Sequence, residues 1–171
     1  MKEITSLFSH AFPKVQVHLD SNFASTSTGF RLRIREALHE IVNEERVLNL
    51  EKLPALKKEF VSISHCASLG GFVIAANGVG FDIEETQRVS SQVAERMKNA
   101  FDAAAPTPAA FWTAKEAAFK ALGDKQPSIM SEIVIGNWQR VGDEQFKFTS
   151  DCGSGMVLVS GPWTAAIFLL V

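Results

Sequence analysis

The chain has 171 residues, 46% hydrophobic and 21% charged, which is enough for one folded domain with a real core and too apolar for a disordered chain. Seventeen basic against 19 acidic residues leave a net charge of −2, which argues against the broad basic face of a general nucleic-acid binder. The two cysteines, Cys66 and Cys152, have no metal-ligand spacing and read as reduced thiols of a cytoplasmic protein. Met1-Lys2-Glu3-Ile4 lacks the pattern of a signal peptide, and the apolar end at 164–171 is too short to span a bilayer, so no membrane partner is expected.

Residues 1–28 carry the weakest pattern, and 18–28, rich in Ser, Thr and Asn, reads as loop. From 30 to about 47 the residues Leu32, Ile34, Ala37, Leu38, Ile41 and Val42 mostly follow a helical period. Arg31, Arg33, Arg35, Glu36 and Glu40 fall on the other face. Pro54 and the run Lys57-Lys58-Glu59 mark a surface turn. Residues 60–64 alternate and are rich in strand formers, and 72–76 is a second strand candidate. Asn77-Gly78 is a two-residue hairpin signal, so 72–76 and 80–83 are expected as antiparallel neighbours.

A helix is expected over 90–102, with Val93, Met97 and Phe101 in one row. A break over 103–108 follows, and then a helix from about Pro108 to Leu122 that ends at Gly123. Strand candidates at 132–135, 146–148, 156–159 and 163–170 alternate with turns. The expected class is α+β, with an antiparallel sheet in the second half.

Two segments carry chemistry. In Val79-Gly80-Phe81-Asp82-Ile83-Glu84 the carboxylates stand at i and i+2, which on a strand share one face. In Trp112-Thr113-Ala114-Lys115-Glu116-Ala117-Ala118-Phe119-Lys120, Glu116 and Lys120 stand at i and i+4, which on a helix stack together. On the helix alone, a solvated ion pair is the stronger reading. The strand pair alone reads equally as a polar face open to water. In combination they offer three carboxylates and two lysines to one site, equipment for a divalent metal and a phosphorylated substrate. Like charges held that close repel unless a cation is present, and oxygen ligands suit magnesium.

The pattern Gly-apolar-Asp-Ile-Glu, followed roughly thirty residues later by Trp-x-x-Lys-Glu-Ala-x-x-Lys-Ala-Leu-Gly, resembles the 4′-phosphopantetheinyl transferases. Ser62-Ile63-Ser64-His65-Cys66 resembles the Ser-His-Ser segment of the larger, surfactin-synthetase-activating type, with Cys66 at its third position. The resemblance is sharp over 60–123. It implies two pseudo-symmetric halves, each a small, mostly antiparallel sheet packed on a helix, within a single domain over 1–171. An abbreviated N-terminal half would cover 1–75, and a C-terminal half with the metal site 76–171. A monomer is expected, with a dimer as the alternative if the shortened half leaves an open edge.

The implied reaction moves the phosphopantetheine arm of coenzyme A to a serine of an acyl or peptidyl carrier protein and releases adenosine 3′,5′-bisphosphate. The resemblance makes Asp82, Glu84 and Glu116 the ligands of Mg²⁺. Glu116 is also the candidate general base, a role that competes with tight metal binding. Lys115 and Lys120 would bind the pyrophosphate, with Lys120 also assisting the leaving group. Ser64 and His65 would contact phosphate groups of coenzyme A, and Arg35, Lys57 or Lys58 the 3′-phosphate. Trp112 reads as packing that aims the helix. Two other readings stay open: a degenerate coenzyme A-binding member of the same fold, and a non-catalytic interaction protein. The carrier protein, and whether it serves fatty acid biosynthesis, is not legible.

Overall fold

In the computed structural model, which describes residues 2–171, strands form near 60–64, 72–76 and 80–83, but the last two do not pair as the hairpin signal predicts. The elements run α1 (Lys2–Ala11), β1 (Val15–Asp20), α2 (Phe30–Val42), β2 (Phe60–His65), β3 (Gly70–Ala75) and β4 (Val79–Glu85). They continue as α3 (Ser91–Arg96), α4 (Pro108–Ala121), β5 (Gly136–Gly142), β6 (Gln145–Ser150), β7 (Gly153–Ser160) and β8 (Trp163–Leu170). Two antiparallel sheets result, one of three strands in the order β1-β3-β2 and one of five in the order β4-β8-β7-β6-β5. The class is therefore α+β, with one long helix on the outer face of each sheet, the two-halved arrangement that the resemblance implies.

Alternation along β3 explains the layering. Phe72 and Ile74 point to α2, where they meet Ile34, Leu38 and Val47. Val73 and Ala75 point the other way, into a shared core with Phe8 of α1, Phe81 and Ile83 of β4, and Ile167 of β8. On the far face of the five-stranded sheet, Val157, Ala166 and Phe168 pack under α4.

Helix α4 can lie close to its sheet because its inner face is alanine: Ala110, Ala114, Ala117, Ala118 and Ala121 are all buried there. Thr107 caps its first turn by accepting from the Ala110 N–H at 3.0 Å, Pro108 opens it, and Gly123 beyond its end takes φ of +53°. Gly80 of β4 is the other half of this approach. A β-carbon there would collide with the Ala117 carbonyl oxygen and stand 2.6 Å from the Ala121 nitrogen, both backbone atoms. Gly80→Ala is expected to destabilise the fold by about 3 kcal/mol, because backbone must move to make room. Equilibrium urea unfolding measures this, and a loss well under 1 kcal/mol would show that α4 does not sit tightly on β4.

Several expectations need correction. β3 and β4 are not a hairpin. Both edges of β3 are taken by β1 and β2, and β4 pairs only with β8. Neither Asn77 nor Gly78 adopts the positive φ that a type I′ turn needs; the Gly78 carbonyl instead accepts from Leu170 N–H at 2.9 Å as the chain crosses between sheets. Residues 18–20 are not loop but the end of β1, held against β3. The helix expected over 90–102 stops at Arg96, and Phe101 is exposed. The strand expected at 132–135 is a short 3-10 turn (Met130–Glu132) leading to Ile133 and Ile135 buried under α4; the strand begins at Gly136.

Candidate active site at the seam between the sheets

β2 and β4 are edge strands of different sheets, and they lie side by side. Their backbones make no ladder, so serine side chains take its place. Ser62 Oγ accepts the Phe81 N–H at 2.9 Å, and Ser64 Oγ accepts the Ile83 N–H at 3.4 Å. These bonds satisfy edge donors that would otherwise be buried without a partner. Ser62 and Ser64 sit two residues apart, so both hydroxyls reach the same neighbour.

Ser64 does a second job at this seam: its hydroxyl donates to Asp82 Oδ1 at 2.7 Å. Lys120, reaching down from α4, donates to the same oxygen at 2.7 Å and to Ser64 Oγ at 3.2 Å. Its Nζ stands 4.0 Å from Glu116 Oε2, one turn back on the helix. Asp82 is only 3% exposed, and its other oxygen, Oδ2, is buried with no hydrogen-bond partner. Such an orphaned carboxylate oxygen is costly and calls for a cation or a donor.

The electrostatics agree. Burial first, and the Asp82 carboxylate second, push the Glu84 carboxyl up to about 7, with Lys120 and Arg88 opposing. Burial also raises Glu116; Lys120 pulls against it and Asp82 adds to it. An acid whose folded pKa lies above its unfolded value, 4.5 here, stabilises fully below the lower value and loses that contribution as pH rises through the upper one. In the metal-free protein these two carboxyls are therefore expected to lower stability as pH rises from 5 to 8, a slope opposed by His18 and His65, whose pKa values burial lowers. Glu84→Gln should flatten that slope by on the order of 1–2 kcal/mol, discounted for partial exposure. An unchanged slope in the variant would show that Glu84 is not the group responsible.

These side chains line a cleft of about 550 Å³, together with His65, Arg31, Arg35 and Lys52. That volume lies within the ordinary range of small-molecule sites. Asp82, Glu84, Glu116 and Lys120 line it from β4 and α4, and Arg31 and Arg35 from α2, with Glu51 and Lys52 from the loop that follows. Asp82, Glu84 and Glu116 are hard oxygen donors with one orphaned atom among them, so their chemistry fits a magnesium-like ion. Among the described residues no three His, Cys, Asp or Glu side chains are yet arranged to hold a metal; the Lys120 ammonium rests on Asp82 Oδ1.

Other residues named from the sequence are placed differently. Lys115 does not face the cleft. It is fully buried on the opposite side of α4, paired with Asp102 at 2.8 Å and donating to the Ile133 carbonyl. Burial lowers its pKa, and Asp102 acts against that shift. Pyrophosphate binding by Lys115 is therefore corrected to a structural ion pair. Lys57 and Lys58 are exposed and lie outside the cleft lining. Arg35 lines the cleft, but its guanidinium already donates to the Val47 carbonyl at 3.1 Å and the Lys52 carbonyl at 2.7 Å, pinning the loop after α2. His65 lies edge-on to Phe30, with ring centroids 4.6 Å apart. Its pKa is lowered, chiefly by burial, then by Lys120 and Arg31.

Arg31 and Lys52 were not singled out from the sequence as ligand-binding. Arg31 precedes Arg35 by one helical turn, so helix arithmetic could have found it. Lys52 has no sequence signal, because a tertiary contact, the Arg35 bond to its carbonyl, ties that loop beside the cleft.

Residues 78–149 match the family model of the 4′-phosphopantetheinyl transferase superfamily. The matched stretch is less than half of the chain and contains Asp82, Glu84, Glu116 and Lys120. It supports a transferase of that superfamily, for which coenzyme A and a carrier protein are the implied partners. Ser64, His65 and the basic wall lie outside it. No curated protein matches the chain.

Proposed function

We propose that this protein transfers the 4′-phosphopantetheine arm of coenzyme A to a serine hydroxyl of an acyl or peptidyl carrier protein, with Mg²⁺. One observation carries the reading: within the stretch matching the superfamily, Asp82, Glu84, Glu116 and Lys120 converge on one wall of a cleft whose other wall is basic.

Asp82, Glu84 and Glu116 would hold the ion. When bound, it supplies charge that stabilises the pyrophosphate oxygens as the bond to the leaving phosphate breaks. The serine oxygen attacks the phosphorus bearing the pantetheine arm, and the bond from that phosphorus to the adenylate-side oxygen breaks. Glu116 would also take the serine proton, a role that competes with its hold on the ion. Lys120, on a flexible stem and partly exposed, can place its ammonium on the departing oxygen. Arg31, Lys52 and His65 face the cleft from the other side and suit the remaining phosphate. Ser64 holds Asp82 in place and is not free for coenzyme A in this arrangement.

The reading extends to the larger, surfactin-synthetase-activating type, working in the cytoplasm as a monomer. Intact-mass spectrometry of an apo carrier protein incubated with this protein, coenzyme A and Mg²⁺ tests the reading. A gain of one phosphopantetheine group is expected. No gain with acyl, peptidyl and aryl carrier proteins would overturn it.

A further inference from the structure

The place where a divalent ion would sit is already claimed by a side chain of the protein itself. Lys120 Nζ is 2.7 Å from Asp82 Oδ1, 3.2 Å from Ser64 Oγ and 4.0 Å from Glu116 Oε2. Two of those three groups belong to the carboxylate set assigned to the metal. Asp82 is 3% exposed, so its charge is nearly out of water and gains most from a close cation. Its partner, by contrast, is partly exposed, with a side-chain accessibility of 29%, and hangs from a four-carbon stem at the mouth of the cleft. One member of the pair is fixed and the other can move.

We infer that Lys120 is an internal counter-ion that closes the metal site while the cleft is empty, and that a polyphosphate ligand opens the site by drawing the ammonium off Asp82. The inference rests on the metal assignment of the proposed function. An ammonium on Asp82 Oδ1 and a divalent cation on the unpartnered Oδ2 would share one buried carboxylate, and the two like charges would stand within a few ångströms in a partly desolvated pocket. The ion therefore binds only as Lys120 leaves. Departure leaves the ammonium without its carboxylate, which is unfavourable unless another anion receives it. Phosphate oxygens of coenzyme A in the same cleft supply that anion.

Metal and polyphosphate binding are then positively coupled, and each strengthens the other by the same factor. The protein would hold little metal in the absence of its phosphorylated ligand. Ser64 completes the device: its own hydrogen bond to Asp82 Oδ1 would hold the carboxylate's orientation when the lysine swings away.

The test is Mn²⁺ binding, followed by the electron paramagnetic resonance signal of free Mn²⁺, with and without coenzyme A and corrected for Mn²⁺ bound by coenzyme A alone. Three proteins are compared: wild type, Lys120→Met, which keeps an unbranched apolar stem, and Arg88→Met. Arg88 is the control because it acts on Glu84 only through space and has no bond to Asp82. Lys120→Met is expected to bind Mn²⁺ alone about tenfold tighter than wild type, and Arg88→Met to stay within about threefold of it. Coenzyme A should tighten Mn²⁺ binding to wild type by about tenfold and to Lys120→Met far less.

Equal gains in both variants would reduce the effect to net charge and overturn the inference, as would no gain in Lys120→Met. If none of the three proteins binds Mn²⁺, the metal assignment fails and the inference with it. If binding behaves as expected while no carrier protein gains mass, the inference stands and the transfer reading is the one that fails.

Discussion

The Glu116→Gln variant is expected to transfer phosphopantetheine about 10²–10⁴-fold more slowly than wild type while folding at least as well. Glutamine keeps the shape of the side chain and removes the charge proposed to hold the metal and the carboxylate proposed to accept the proton. The cost of burying that charge disappears with it, since burial is the main reason the Glu116 carboxyl is raised. Melting temperature without ligands should therefore hold steady or rise by a degree or two. Initial rates of mass gain and a thermal melt, run on the same preparation, separate the two effects. A variant that loses stability and activity in proportion would make Glu116 a structural residue. A variant with undiminished rate would remove it from the chemistry.

Lys115→Met, one residue away, is expected to do the opposite. The Lys115 and Asp102 side chains are both 0% exposed. Asp102 also accepts the N–H groups of Asn99 at 2.5 Å and Ile135 at 2.7 Å. The pair therefore ties the turn after α3 and the segment before β5 to α4. Removing one partner leaves a buried charge alone and costs about 3–5 kcal/mol. Asp102→Asn in the Lys115→Met background should recover much of that loss, because the uncompensated charge goes with it. Equilibrium unfolding of the two single variants and the double variant measures the coupling. Whatever protein remains folded should keep its affinity for coenzyme A. A selective loss of that affinity with full stability would return Lys115 to the cleft.

This contrast shows which parts of the site were legible. Asp82 and Glu84 on a strand, and Glu116 and Lys120 on a helix, follow from periods of two and four that need no tertiary information. Lys115 failed because adjacent helical residues point about 100° apart. Its neighbours at i−4 and i+3, Phe111 and Ala118, are both buried, so the helical period already assigned it to the inner face. What no local pattern could supply was Asp102, the partner that makes a buried lysine tolerable. The misplaced hairpin has a similar cause. Asn-Gly is a local turn signal, and the free edge it needed on β3 was taken by β1, a strand hidden in a polar segment. The alternation of Val15, Val17 and Leu19 was present but short. The seam itself was half visible: Ser62 and Ser64 were noted as part of a motif, while their role as substitutes for a β-ladder depended on two sheet edges meeting.

The basic wall was the least legible feature. The sequence suggests Arg35 as a phosphate ligand, yet its donors hold the Val47 and Lys52 carbonyls, so its main task is to shape the loop. That task brings Lys52 to the cleft beside Arg31.

The measurement that tests the account most directly is the anomalous difference density of Mn²⁺ in crystals grown with coenzyme A. A single strong peak among Asp82, Glu84 and Glu116 is expected, with Lys120 withdrawn from Asp82 and turned toward a phosphate oxygen. Coenzyme A bound elsewhere, or a peak remote from these carboxylates, would contradict it.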